Sequence, residues 1–345
     1  MAVCVWAPRD SPATQMRVTC EHSLASNGWN TENDHPSQGG HLFMAAQTSL
    51  AMRIEQLDSR ITWIALDDLR SSWLIQDQKN MLIETGYPSN LPDLVKGLEQ
   101  VSLTPRDIDF VGLTHIHIDH AGGAGYLARQ NPALKVFVHE TGAGHLNDPS
   151  RLVSSVKRAY GNQFGMVGEM VGVAEDQIIP VDTGATIDLG NSRLEVYYTP
   201  GHAKHHVVYF DPTSKSVFTG DALGSKYPSL PNFVLSPPAD YDRELAKQSI
   251  DRIQALHPKR INFTHLGPYN VDVDRDFYEH LKAEHDLWND CIEEIVKRNR
   301  TIEPEDVFSA FLEKVPRLKQ YPNQFFSFRL SVKGILIYLQ RNGKI

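Results

Sequence analysis

The stretch Thr114-His115-Ile116-His117-Ile118-Asp119-His120-Ala121-Gly122-Gly123 decides how the rest of the chain is read. It begins where an apolar run of strand character, Ile108–Thr114, comes to an end. The two-residue period of a strand puts His115 and His117 on one side and turns Ile116 back toward the core. Asp119 and His120 then fall on the turn into a small-residue helix, expected over Ala121–Asn131. Three imidazoles and a carboxylate at the mouth of a buried strand suit a borderline-soft divalent metal such as zinc. The glycine pair lets the backbone turn tightly beside such a site. Left without an ion, the same residues would bury imidazoles with nothing to pair them, which costs free energy.

Outward from this stretch the pattern is regular. Short strand-like runs precede it at Met52–Leu57, Ile61–Leu66, Ser72–Gln76 and Asn80–Glu84, followed by a helix over Leu91–Gln100. Lys135–His139 reads as a strand and Ser150–Val171 as a helix. Strands are expected again at Thr186–Leu189, Arg193–Thr199, His206–Asp211 and Ser216–Thr219, then a helix at Tyr241–Leu256 and a strand at Arg260–Thr264. From Asp274 onward the pattern is helical, broken at Pro304, Pro316 and Pro322. Strands open each half and helices close it, so two sheets should pack face to face with helices outside.

The motif and its successors resemble the metallo-β-lactamase superfamily. Thr114–His120 matches the family pattern T-H-x-H-x-D-H without a substitution, and later elements follow in order. Thr199-Pro200-Gly201-His202, Thr219-Gly220-Asp221-Ala222 and Thr264-His265 are similar to the loops that supply the remaining ligands. The resemblance covers roughly Met52 to Pro268 and implies a four-layer αββα sandwich of α/β class with extra C-terminal helices. It also implies two divalent metal ions, zinc with iron or manganese as alternatives. His115, His117 and His202 would hold the first, and Asp119, His120 and His265 the second. Asp221 would bridge them. A hydroxide shared by the two ions would attack an ester, thioester or lactone, and Asp119 would also steer the nucleophile or the leaving-group proton.

Departures narrow the class. Asp221 stands where β-lactam-cleaving members of the zinc-thiolate type carry cysteine, and His117 stands where flavodiiron oxygen reductases carry glutamate. The pattern resembles the glyoxalase II, lactonase and thioesterase branch, with a sulfur dioxygenase-type oxidoreductase, a phosphodiesterase and a ligand-binding regulator as alternatives. Gly201–Val208 and Gly220–Gly224 are also similar to a bacterial thioesterase whose C-terminal helices roof the active site. One early element differs. A strand that often ends Asp-x-Gly here reads Ile83-Glu84-Thr85-Gly86, so the aspartate's contact with the ligand set is not expected to carry over unchanged.

Composition sets the remaining bounds. Among 345 residues, 34 Lys and Arg stand against 42 Asp and Glu, a formal net charge of −8. That disfavours a dedicated nucleic-acid or anionic-membrane partner and leaves a small-molecule substrate, with a homodimer left open. Cys4, Cys20 and Cys291 are too scattered for a disulfide framework, and no run is long and apolar enough for a membrane helix. Residues 1–51 read as a disordered leader or a mis-assigned start, with an N-terminal transit segment the weaker reading and the cytoplasm the expected location. Residues 52–273 read as the catalytic domain, and 274–345 as a helical extension packed on it. Of the other candidates, His206 would steady a ligand or Asp221, and His139 would line the pocket. Tyr227 would donate a hydrogen bond to a developing oxyanion, and His205 would face solvent.

Overall fold

In the computed structural model, strand assignment follows the apolar runs closely, because most strands are buried on both faces and so read as continuous hydrophobic segments. The structure describes residues 53–225, 233–265 and 267–345. The expected leader, residues 1–51, and Tyr227 lie outside the described residues. The first sheet contains β1 Ile54–Gln56, β2 Ile61–Ala65, β3 Ser71–Ile75, β4 Met81–Ile83, β5 Phe110–Gly112, β6 Lys135–His139 and β7 Ile178–Val181, in that spatial order. Strands β1 to β4 pair antiparallel, and β4 to β7 pair parallel. The second sheet contains β8 Thr186–Asp188, β9 Arg193–Tyr198, β10 Val207–Asp211, β11 Ser216–Gly220, β12 Arg260–Phe263 and β13 Gly267–Asn270. Only β11 and β12 run parallel there.

Alternation along the strands builds three buried layers. Between the sheets, Ile61, Trp73 and Met81 meet Leu194, Tyr209 and Phe218, with the Trp73 and Phe218 rings 5.8 Å apart. On the outer face of the first sheet, Leu82, Val111 and Val136 receive α1 (Leu91–Gln100), and beyond the short α2 (Ile118–Ala121) they also receive α3 (Ala124–Gln130). The same side carries α4 (Glu140–Asn147), α5 (Ser150–Tyr160) and α6 (Phe164–Val167). Against the outer face of the second sheet, Val217 and Ile261 receive Ile250 and Ile253 of α7 (Arg243–Gln254), together with Phe277 and Leu281 of α8 (Phe277–Asn299). The result is an αββα sandwich.

Helices α9 (Pro304–Lys314) and α10 (Phe325–Arg341) extend it, sharing a core of Trp288, Phe308, Phe311, Phe328 and Ile335 with α8. A glycine sets how closely α10 approaches the sandwich. A methyl at Gly334 would collide with the Pro237 carbonyl oxygen and stand 2.6 Å from that of Pro238. Alanine is the better helix former by about 1 kcal/mol, but overpacking against backbone costs about 2–3 kcal/mol. Gly334→Ala should therefore lose about 1–2 kcal/mol of stability in urea unfolding; an unchanged midpoint would show that α10 packs more loosely than described.

Four elements differ from the sequence reading. The helix expected over Ser150–Val171 stops at Tyr160, where Gly161 takes φ +52°, and α6 is ended by Gly168 at φ +86°. Strand β7 escaped notice because Pro180 interrupts it. It is tolerated because β7 lies at the sheet edge. Helix α4 and strand β13 were not anticipated either.

Candidate metal centre

Every expected ligand but one follows the C-terminal end of a strand. His115, His117, Asp119 and His120 follow β5, Asp221 follows β11, and His265 follows β12, while His202 comes from the β9–β10 connection. Parallel strands that end together leave a crevice at that edge, where α/β sheets bind ligands. The two sheets are tied there by a backbone bond from Ser71 N to Thr264 O, 2.8 Å long.

The side chains converge in two groups. His117 Nδ1 lies 2.9 Å from His115 Nε2 and 2.9 Å from His202 Nε2. In the other group, Asp119 Oδ2 lies 3.8 Å from His120 Nε2 and 3.7 Å from His265 Nε2. Asp221 divides its carboxylate between them. Its Oδ2 is 3.5 Å from His202 Nε2, and its Oδ1 is 3.2 Å from His265 Nε2 and 3.5 Å from His120 Nε2.

These residues fit metal ions. Atoms about 2.1 Å from a tetrahedral ion stand about 3.4 Å from one another, and the separations here run from 2.9 to 3.8 Å. His120 Nε2 and Asp221 Oδ1 are buried and have no hydrogen-bond partner among the described residues, an arrangement that costs about 1–3 kcal/mol per atom unless something else satisfies them. Burial and neighbouring imidazoles hold His115 well below the ordinary histidine range, and burial does the same for His202. Both are therefore neutral rings with a lone pair to offer. The donor set of five imidazoles and two carboxylates forms two metal-binding clusters consistent with a dinuclear site.

Hydrogen bonds on the far side of the rings fix which nitrogen faces the cluster. Glu84 is fully buried. Its Oε2 lies 2.5 Å from His120 Nδ1, and its Oε1 accepts from Thr114 N at 2.8 Å. The extra methylene thus reaches both the ligand and the motif's backbone, at the cost of a left-handed backbone at Glu84, φ +67°. Burial opposes charge on His120, but Glu84, Asp119 and Asp221 outweigh it and push the imidazole up to about 10; the proton on Nδ1 is the one that faces Glu84. His115 Nδ1 lies 3.0 Å from Thr114 Oγ1. His206 Nε2 accepts from Asp221 N at 3.2 Å, so its protonated Nδ1 faces Thr199 Oγ1 at 3.0 Å. Burial lowers that ring to about 3, consistent with a neutral acceptor. Gly220, at φ +48°, leaves room for this packing, since a methyl would collide with Thr114 Oγ1 and lie 2.8 Å from His206 Nε2.

Other candidates fall elsewhere. His139 caps α4, with Nδ1 accepting from Thr141 N at 3.3 Å, and its ring stacks on Tyr198, so it is not in the pocket lining. His205 is not solvent-facing as expected. It is half-buried, its ring lies parallel to His115 at 6.1 Å, and it lines a cavity beside the cluster. Sequence reading missed Arg70, Tyr87 and Tyr160, which share a pocket of about 180 Å³ with Asp119, Asp221 and His265. The Tyr87 and Tyr160 hydroxyls are 2.9 Å apart, and the Arg70 guanidinium lies 3.9 Å from the Tyr87 ring centre. Burial raises both phenols, so they remain hydrogen-bond donors at neutral pH. None of the three belongs to a motif, and the β2–β3 turn, the β4–α1 connection and the end of α5 bring Arg70, Tyr87 and Tyr160 here.

The chain is similar to known proteins in sequence and fold. The chain is 31% identical over 181 residues to a metallo-beta-lactamase fold-containing protein of Sulfurisphaera tokodaii, covering 51% of this chain and 66% of that protein. It is 30% identical over 155 residues to the lactamase-like protein aptB of Emericella nidulans, covering 44% of this chain and 38% of the relative. With a hydroxyacylglutathione hydrolase of Legionella pneumophila it shares 24% identity over 153 residues, 44% of this chain and 47% of the enzyme. The matches therefore span from over a third to just under two thirds of these relatives. Among solved structures, an archaeal metallo-beta-lactamase superfamily protein from Sulfolobus tokodaii aligns with TM-score 0.54 and 26% identity over 63% of this chain and 80% of that one. A metallo-beta-lactamase family protein from Thermus thermophilus shares the fold at TM-score 0.56 and 22% identity, over 81% and 90% of the two chains. The sequence profile of the metallo-beta-lactamase superfamily matches residues 66–265, which contain all seven clustered side chains. The chain belongs to that superfamily.

Proposed function

We propose that the chain is a hydrolase that uses two divalent metal ions, zinc with iron or manganese as alternatives, to cleave an ester, thioester or lactone. The observation that carries this reading is the Asp221 carboxylate, whose oxygens address different ligand groups, 3.5 Å from His202 and 3.2 Å from His265. Two ions bound there would make a water acidic enough to act near neutral pH and would polarise the scissile carbonyl.

The protein's own residues do the rest. Glu84, Thr114 and His206 fix the orientations of His120, His115 and the Asp221 backbone. Asp119 is partly exposed to the pocket and, against its burial, is kept ionised by His120, His265 and Arg70, so it can accept a hydrogen bond that steers the nucleophile or the leaving-group proton. The phenols of Tyr87 and Tyr160 offer hydrogen-bond donors across the pocket, and Leu69, Val234, Leu235 and Phe328 limit water on the remaining side. The Legionella relative bears the name of a thioester hydrolase, which supports the thioester member of the class.

The test loads the full chain with zinc and follows acid release from a panel of esters, thioesters and lactones. Hydrolysis in at least one class should vanish on chelation and return with metal. Inert behaviour across the panel, or oxygen uptake instead of acid release, would overturn the assignment.

A further inference from the structure

Beside the ligand cluster lies a second cavity of about 810 Å³, within the range that holds small-molecule ligands. It adjoins the pocket over the metal ligands, and His117, Asp119, Tyr160, Pro238 and Leu330 line both. Its walls are two helices from distant parts of the chain, α5 and α10. The lining includes apolar side chains, among them Ile116, Ile118, Leu152, Val156 and Ile337.

Its cations are distinctive. Helix α5 carries Arg151, Lys157 and Arg158, and α10 carries Arg329, Lys333 and Arg341. Lys157 pairs with Glu169 at 3.1 Å, Arg329 with Glu305 at 2.8 Å, and Arg341 with Asp242 at 3.7 Å, and none of these three lines the cavity. Arg151, Arg158 and Lys333 do line it, and among the described residues none is joined to a carboxylate by a salt bridge, although Arg151 lies near enough to Asp148 to help lower that carboxyl. Arg158 is held instead by Ser155 Oγ at 3.0 Å. Besides the ligand Asp119, Asp240 is the opposing carboxylate of the lining. In a chain of net charge −8, acidic partners are not scarce. A cleft that gathers unpaired cations over an apolar floor concentrates anions.

We infer that the substrate is an amphiphilic anion. Its scissile bond would lie at the metal ligands, its apolar body between α5 and α10, and its carboxylate or phosphate end by Arg151, Arg158 and Lys333. This rests on the hydrolase reading for the bond that is cleaved, while the anion preference itself can be measured without turnover.

The test titrates a matched pair of fluorescent probes, 8-anilinonaphthalene-1-sulfonate and neutral N-phenyl-1-naphthylamine, into the full chain without added metal. The sulfonate should bind about tenfold more tightly, and the preference should shrink with added salt. In Arg158→Glu and Lys333→Glu the ratio should fall toward about one, with neutral Lys333→Met between. Equal affinities in the native chain, or a ratio unmoved by both reversals, would overturn the inference.

Turnover separates this from the hydrolase reading. The zinc-loaded chain should prefer the 4-nitrophenyl monoester of adipic acid over 4-nitrophenyl hexanoate, and a thioester phosphorylated on its leaving group tests the phosphate alternative. Hexanoate cleaved as well as both anionic substrates would defeat the inference and leave the hydrolase reading standing. If nothing in the panel is cleaved, the hydrolase reading fails, and the probe ratio still decides whether the cavity selects anions.

Discussion

Asp221→Ala should remove metal and activity together while leaving the fold in place. The residue follows β11 and is held at its backbone by His206, 3.2 Å from Asp221 N, so the loop does not depend on the carboxylate for its path. The carboxylate is the group that both ligand clusters share. Its loss would leave His202 with no carboxylate beside it and His120 and His265 with Asp119 alone. Metal content should fall by at least one ion per chain, and kcat/KM by at least about 10³-fold, or about 4 kcal/mol. Circular dichroism should change little. A variant that keeps two ions and native turnover would show that Asp221 does not bridge.

The second large effect is expected at Glu84. Two donors, Thr114 N and the Nδ1 proton of His120, converge on its two oxygens at 2.8 and 2.5 Å. Glutamine has the same shape but only one acceptor oxygen, so Glu84→Gln sets an amide N–H against one of these donors. Either His120 turns or its proton moves to the nitrogen that should face the metal. Losing an orienting partner of this kind costs about 10- to 100-fold in metal affinity or activity, measurable by competition with a chelator of known strength. Glu84→Asp should lose less, because it keeps both acceptors and aspartate tolerates the φ of +67° more readily. Native metal affinity in Glu84→Gln would mean that the carboxylate serves the fold rather than the site.

Much of the architecture is legible in the sequence, for a definite reason. The ligands sit in short runs that follow buried strands, and buried strands announce themselves as apolar segments. Thr114–His120, Gly201–His202, Gly220–Asp221 and Thr264–His265 are therefore legible as strand ends from the sequence alone. What could not be read depends on how distant elements meet. Tyr160 ends a helix whose sequence says nothing about Tyr87, yet their hydroxyls meet at 2.9 Å. His205 follows exposed Lys204 in a turn and looked solvent-facing, but the turn folds back so that its ring lies over His115. Glu84 shows a third limit. The sequence shows the departure from aspartate, but only the folded chain shows the longer side chain 2.5 Å from His120, on a left-handed backbone.

The most direct measurement is a count of metal ions in the purified full chain, by elemental analysis against protein concentration after equilibration with zinc. Two ligand groups joined through one carboxylate should retain two ions per chain. Retention of a single ion, with no loss on replacing Asp119 or His265, or of none, would contradict the dinuclear account.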